Sequence, residues 1–201
     1  MAVLNMRVNV KKLTLIAILV SIALIIFIVE AQIPLPIPIP GVKLGLANVV
    51  TLFALFYNRA KRESRASVLV QKIDADLLTR TPNLQISFTN IDVFAILLCR
   101  IILGAVFTGR LVAFAYSITG GILGFAAQIV MRRFVSDKQI WVCGAIGAVF
   151  HNVGQIFAAA IITGTPAIIG YLPILVIAGV ITGVLTGLIA QLTLERFPGR
   201  S

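Results

Sequence analysis

The chain has 201 residues, of which 59% are hydrophobic and only 12% are charged. Soluble domains carry about 25% charged residues, so this composition excludes a soluble globular fold and fits a protein embedded in lipid. The net charge of +10 does not indicate nucleic-acid binding, because the cations collect in particular loops, as they do in oriented membrane proteins. The length accommodates one compact bundle and leaves no room for a separate soluble domain.

Six apolar segments predict six transmembrane helices and an all-α integral membrane fold. The first is expected to stay uncleaved, because five more apolar segments follow it. The second is the shortest, and it either begins earlier, near Gly41, or adjoins a non-helical stretch. No Asp, Glu, Lys or Arg occurs from 139 to 194, and turns at 164–166 and 170–173 divide this run into two helices. The predicted spans are about 13–33, 43–57, 92–109, 111–131, 140–163 and 171–194.

The positions of the cations predict the orientation. With six spans, 14 of the 17 Lys and Arg residues fall on one side of the membrane, and the other side holds only Lys43 and Arg110. The positive-inside rule therefore predicts a multi-pass protein of the cell membrane with both termini in the cytoplasm. Segment 58–90 is then a polar cytoplasmic loop insertion.

Small residues predict where the helices approach closely. The last span carries Gly179, Gly183 and Gly187 at four-residue spacing, and the fourth and fifth spans are also rich in glycine. Such stripes let helix backbones meet in lipid, so we expect the last three helices to pack together. Cys99 and Cys143 lie in apolar stretches and are expected to be buried, without a disulfide.

Two groups of polar residues occur inside the spans. Arg100 stands near the middle of the third span, where a charge must face the protein interior or a wet cavity. It either pairs internally and caps carbonyl groups, or binds a ligand. His151 and Gln155 share a helix face beside Asn152, which suits a polar pocket, although a single histidine is more often a satisfied core residue.

The first outer loop, 30–43, has four prolines at alternate positions and is predicted to be stiff and extended. It is either an apolar lid over an outward-facing pocket or a connector lying on the surface. Glu30 and Lys43 bracket it, and Asn48 lies about one turn into the second helix.

Catalytic motifs are missing from the sequence. It has no aspartate-rich DDxxD pair, no Walker loop and only one histidine, so we predict no catalytic residue, no metal site and no cofactor. An ATP-hydrolysing or bond-breaking role for this chain alone is not expected.

Several runs resemble the Gx transporter family, which is also catalogued as "heptaprenyl diphosphate synthase component I". The match covers about 13 to 194 in conserved order and spacing. The runs are Pro40 to Leu52, Arg100 to Gly104, Tyr116 to Gly121, His151 to Gln155, Thr163 to Pro166, and Tyr171 to Pro173.

That family is similar to the substrate-binding S components of energy-coupling factor (ECF) transporters. The resemblance implies an S-component-like bundle, in a prokaryotic plasma membrane, that captures a small anionic or polar molecule under its first loop. It then joins a coupling membrane protein and two ATPases, which would use the ATP. Small residues on helix one would form the contact, here Ala17 and Ser21. The implied substrate-binding residues are Glu30, Lys43, Asn48, Arg100, His151, Asn152 and Gln155.

The catalogued name implies a different role, as a non-catalytic accessory subunit of a prenyl transferase that makes long-chain prenyl diphosphates. A stand-alone facilitator is a third hypothesis. The 58–90 insertion replaces a short link of the family and could obstruct or modify the docking of a coupling partner.

Overall fold

A computed structural model of the chain describes residues 10–33, 43–59 and 87–196. All regular structure in these ranges is helical. Most of the Pro-rich loop (34–42), most of the polar insertion (60–86) and both extreme termini lie outside the described residues. The helices are α1 (Val10–Glu30), α2 (48–59), α3 (Asn90–Thr108), α4 (Leu111–Met131), α5 (Ile140–Thr163) and α6 (Leu172–Glu195), with short 3-10 helices at Asp137–Gln139 and Pro166–Tyr171.

The helices confirm a multi-pass, all-α membrane protein. Helices α1, α3, α4, α5 and α6 are each long and apolar enough to cross a bilayer. The turn that ends α5 contains Gly164 in the left-handed conformation, with φ of 62°, so the long uncharged run divides where its glycine and proline residues predicted. A sixth crossing and the cytoplasmic placement of the termini stay predictions.

Helix α2 begins at 48, five residues after the start of its predicted span, 43–57, and the structure describes it as far as 59. The backbone before it leaves helical geometry at Gly45, whose φ is 80°. The N–H groups of Lys43 and Gly45 bond to side chains of other helices instead. The second span therefore adjoins a non-helical stretch, which is one of the two expectations for it.

The predicted close packing of the last three helices is confirmed. A methyl group at Gly183 of α6 would lie 2.6 Å from the Cα atom of Ala145 on α5, and Gly144 faces the carbonyl oxygen of Gly183. On the other side of α5, a methyl group at Gly124 of α4 would lie 2.7 Å from the carbonyl oxygen of Gly147. Backbones therefore touch where larger side chains would separate the helices.

The two cysteines occupy different environments. Cys143 is buried, as predicted, but Cys99 lies on the exposed face of α3, so its predicted burial is wrong. That face is apolar, and Val106 on the same helix is 73% exposed. In a membrane span such a face contacts lipid, which accepts a thiol as readily as the core does. Both cysteines are free.

The glycine contacts give a stability prediction. Gly183→Ala should reduce the free energy of unfolding by about 1–3 kcal/mol, because the new methyl group overlaps the backbone of α5 and forces the helices apart. Gly170→Ala is the matched control, since a methyl group there meets nothing within 4 Å. Thermal unfolding in detergent, followed through Trp141, the single tryptophan, measures both. Equal midpoints for the two variants would contradict the packing described for α5 and α6.

Candidate functional site

The seven predicted binding residues are all buried, with exposed fractions between 0 and 8%. They come from four parts of the chain that are distant in sequence: the end of α1, the segment leading into α2, the middle of α3 and the middle of α5. We call this set the polar cluster. Its members are Glu30, Lys43, Asn48, Arg100, His151, Asn152 and Gln155.

Hydrogen bonds tie the segment 43–48 to three helices. The Gly45 N–H donates to Glu30 Oε1 of α1 at 2.5 Å, and the Lys43 N–H donates to Gln155 Oε1 of α5 at 3.3 Å. Arg100 of α3 donates from Nη2 to Asn48 Oδ1 at 3.4 Å. The side chains of Glu30 and Gln155 thus accept hydrogen bonds from backbone N–H groups that have no partner within a helix. The non-helical entry to α2 is therefore part of the polar cluster.

His151 and Gln155 lie on one face of α5, as their four-residue spacing predicts. A methyl group at Gly120 of α4 would lie 3.1 Å from His151 Cε1 and 2.9 Å from Gln155 Cγ. His151 also lies beside the segment before α2, because a methyl group at Gly45 would lie 3.2 Å from its Cδ2 atom. The glycines of α4 and of the α2 entry therefore make room for these two side chains.

Asn152 occupies a different position from its neighbours. Its Nδ2 atom donates to the Leu175 carbonyl oxygen of α6 at 2.6 Å. A methyl group at Gly179 would lie 2.7 Å from the same nitrogen, so the amide reaches into the α5–α6 interface. Through its Nδ2 atom, Asn152 links α5 to α6. Its role in ligand binding stays a prediction.

Phe27 is a site residue that the sequence analysis missed. Its ring centroid lies 3.1 Å from Lys43 Nζ and 5.9 Å from Arg100 Cζ, so both cations contact one buried aromatic ring. Cation–π attraction lets such a ring accept a charged group that has lost its water. Gly104 of α3 provides the space, since any side chain there would overlap the ring. The sequence offered one indication of this role, because Phe27 lies three residues before Glu30 and therefore on the same face of α1.

The polar cluster carries more positive than negative charge. It contains two positive side chains, Lys43 and Arg100, and one negative side chain, Glu30, a net charge of +1. The described residues form ion pairs at Lys12–Asp92 and Arg59–Asp137, and neither joins these three groups. Buried charges need an opposite charge or several hydrogen bonds. The polar cluster is therefore suited to an additional anion.

Five buried polar atoms of the polar cluster have no hydrogen-bond partner among the described residues. Leaving such an atom unpaired costs about 1–3 kcal/mol, more when it is charged. Both donors and acceptors are represented, so a ligand could satisfy several of them together. The atoms are Glu30 Oε2, Arg100 Nε, His151 Nδ1, Asn152 Oδ1 and Gln155 Nε2.

Ala17 and Ser21 lie away from the polar cluster, on the exposed face of α1. The Ser21 hydroxyl donates to the Ala17 carbonyl oxygen at 2.9 Å, so this polar group is satisfied within the helix. Their role as a contact for a partner stays a prediction. Within the ranges the structure describes, no three His, Cys, Asp or Glu side chains converge as a metal site requires.

Comparison with known proteins identifies the family. The sequence model for heptaprenyl diphosphate synthase component I matches residues 19–89 and 81–193. The chain belongs to this family. The membership that the sequence runs indicated is thereby confirmed under the catalogued name, and all seven residues of the polar cluster lie within the match. No curated protein and no solved structure matches the chain.

The contacts of Gly45 give a prediction for the site. Both Gly45→Ala and Gly109→Ala place a side chain at positive φ, which costs about 1–2 kcal/mol. Only Gly45→Ala also brings a methyl group 2.9 Å from Asn48 Nδ2, whereas nothing lies within 4 Å at Gly109. We expect Gly45→Ala to lower the midpoint of thermal unfolding further than Gly109→Ala does. A matched decrease in the two variants would show that the α2 entry does not pack against the polar cluster.

Proposed function

We propose that the chain is a membrane-embedded binding subunit that holds a small anionic or polar molecule in the polar cluster. The observation that supports this proposal most strongly concerns charge. The polar cluster contains two buried cations, Lys43 and Arg100, and one carboxylate, Glu30, which forms an ion pair with neither of them. The guanidinium group of Arg100 offers a planar set of donors that matches a carboxylate or a phosphate. An anionic ligand group would neutralise the excess charge and meet unpaired donors at once.

The position of the polar cluster supports entry from the outer side. Glu30 and Lys43 stand at the two ends of the 31–42 segment, so the predicted lid begins and ends at residues of the binding site itself.

An ECF-type importer is the first assembly that such a subunit would serve. The exposed Ala17 and Ser21 face of α1 supports it, because small residues let a partner helix approach closely. The chain would supply binding, and the partner ATPases would supply ATP hydrolysis. In this proposal the ligand is a soluble nutrient.

The family match favours a second assembly, a heptaprenyl diphosphate synthase in which this chain is the non-catalytic membrane component. Here the bond-forming chemistry belongs to the partner subunit. A prenyl diphosphate has an anionic head and an apolar tail, so its head would suit the polar cluster and its tail the bilayer. The two assemblies thus share the site and differ in ligand and partner.

Replacing Arg100 tests the binding proposal. Arg100→Ala should reduce the amount of small molecule carried through purification by about tenfold or more, the effect of losing a charged hydrogen bond. Native mass spectrometry of the detergent-solubilised protein measures it. Arg196→Ala is the control, because Arg196 is an exposed arginine at the C-terminal end of α6. Equal retention in the wild type and Arg100→Ala would reject the polar cluster as the binding site.

Co-purification of native partners distinguishes the two assemblies. With an affinity tag on this chain, an importer would bring a coupling membrane protein and two ATPases, whereas the synthase would bring a prenyl transferase subunit. In either case we expect Ala17→Trp to reduce recovery of a partner that packs on α1. Leu192→Trp serves as the control, since Leu192 is 54% exposed on α6. Unchanged recovery of the partner with Ala17→Trp would show that this face of α1 is not part of the contact.

A further inference from the structure

The polar cluster restricts the charge of the ligand that it can hold. Lys43 and Arg100 carry positive charge and Glu30 carries negative charge, which gives a net charge of +1. The segment that joins Ile33 to Lys43 contains no Asp, Glu, Lys or Arg, so its sequence adds no charge. Arg110 is within electrostatic reach of Lys43, but it is exposed and water screens its charge. One negative charge on the ligand would therefore make the site neutral.

Neutrality matters here because the bundle encloses the polar cluster. Each of its side chains is at most 8% exposed, so water screens a surplus charge there only weakly. A buried charge that lacks an opposite charge is costly. A diphosphate head carries several negative charges and would reverse the sign of the site, whereas a single carboxylate would balance it.

Two amide side chains of α5 are oriented by backbone groups. Gln155 Oε1 accepts a hydrogen bond from the Lys43 N–H at 3.3 Å, so its Nε2 atom remains as a donor. Asn152 Nδ2 donates to the Leu175 carbonyl oxygen at 2.6 Å, so its Oδ1 atom remains as an acceptor. Both remaining atoms are buried and have no partner among the described residues. The polar cluster therefore has one amide donor and one amide acceptor that cannot exchange places.

The charged side chains add a second unpaired donor and a second unpaired acceptor, Arg100 Nε and Glu30 Oε2. A carboxylate on the ligand can accept hydrogen bonds from Arg100 Nε and Gln155 Nε2, but it has no hydrogen to donate to Glu30. A ligand that is only an anion would therefore leave a buried carboxylate oxygen unpaired, which is unfavourable.

The donor and acceptor ends of the site lie close together. The N–H groups of Lys43 and Gly45 bond to Gln155 and Glu30 respectively. An extended chain rises about 3.3 Å per residue, so these two N–H groups are at most about 7 Å apart. His151 lies beside them, because a methyl group at Gly45 would lie 3.2 Å from its Cδ2 atom, and its unpaired Nδ1 atom donates or accepts according to the tautomer. One small molecule can therefore reach both ends.

We infer that the ligand of the polar cluster is a small acid with a single negative charge that also carries a hydrogen-bond donor, such as a hydroxyl or an amide N–H group. Its carboxylate pairs with Arg100, and its donor group bonds to Glu30 Oε2. This inference rests on the proposed function, in which the polar cluster is the binding site. It favours a soluble hydroxy or amide acid over a prenyl diphosphate, which has several negative charges and no alcohol or N–H group.

Three probes that differ at one end test the inference. γ-Hydroxybutyrate, butyrate and succinate share a carboxylate on chains of equal length and end in a hydroxyl, a methyl group and a second carboxylate respectively. Each is titrated into the full-length protein in detergent, and the rise in the midpoint of thermal unfolding, followed through Trp141, gives an apparent affinity. We expect γ-hydroxybutyrate to bind about tenfold more tightly than the other two, the effect of one hydrogen bond to a charged group. Equal affinities, no shift with any probe, or tighter binding of succinate would overturn the inference.

Glu30→Gln tests the acceptor directly. The variant keeps an oxygen for the Gly45 N–H, but it raises the net charge of the polar cluster by one and replaces Oε2 with an amide donor. Succinate should then bind more tightly than γ-hydroxybutyrate, and an unchanged order of affinities would contradict the assigned role of Glu30. Glu195→Gln is the matched control, because Glu195 is exposed at the end of α6 and its replacement should preserve the wild-type order.

Arg100→Ala separates this inference from the proposed function. If the probes bind the wild type and Arg100→Ala equally well, the polar cluster is not the binding site, and the proposed function fails together with the inference. If binding requires Arg100 but succinate or inorganic pyrophosphate binds most tightly, the site stands and the inferred class of ligand is wrong.

Discussion

The cost of a charged side chain inside a lipid bilayer determines how this protein is built. Arg100 lies near the middle of α3, where exposure to lipid would cost at least about 2.5–3.5 kcal/mol. The helix therefore turns this side chain inward, where it is 2% exposed and contacts Asn48 and the ring of Phe27. The contact with Phe27 requires α1 to pack against α3 at this level. The burial of Arg100 therefore accounts both for the packing of α1 on α3 and for the presence of Phe27 in the site.

The non-helical entry to α2 follows from the same requirement. Irregular backbone at membrane depth is tolerated only where its polar groups are satisfied inside the protein. Here the side chains of Glu30 and Gln155 accept hydrogen bonds from the N–H groups of Gly45 and Lys43. These two side chains therefore stabilise the non-helical segment of the site. A helix that began at 43 would leave the same N–H groups without an intrahelical partner, because the first four N–H groups of a helix have none. The non-helical segment brings Lys43, a second cation, to the ring of Phe27 in the polar cluster.

The polar cluster lies between two parts of the bundle that are held together differently. Helix α5 packs against α4 and α6 through backbone contacts at glycine, and it carries His151 and Gln155. Helices α1 and α3 contribute Phe27 and Arg100, and they meet through an ion pair, Lys12–Asp92, and apolar side chains. Glycine contacts leave little freedom to shift, whereas side-chain contacts can adjust. A ligand in the polar cluster would therefore touch a rigid wall and an adjustable one.

Much of this arrangement could be predicted from local signals. Apolar run length identified the five long helices, glycine spacing identified the α5–α6 contact, and the cost of intramembrane polarity singled out the residues that prove to be buried together. Lipid makes these signals strong, because it penalises any exposed polar group. The start of α2, the exposure of Cys99 and the contact of Phe27 with Lys43 depended on how helices distant in sequence are rotated and placed. That is a property of tertiary packing, because many apolar residues on a membrane helix can face either lipid or protein at nearly equal free energy.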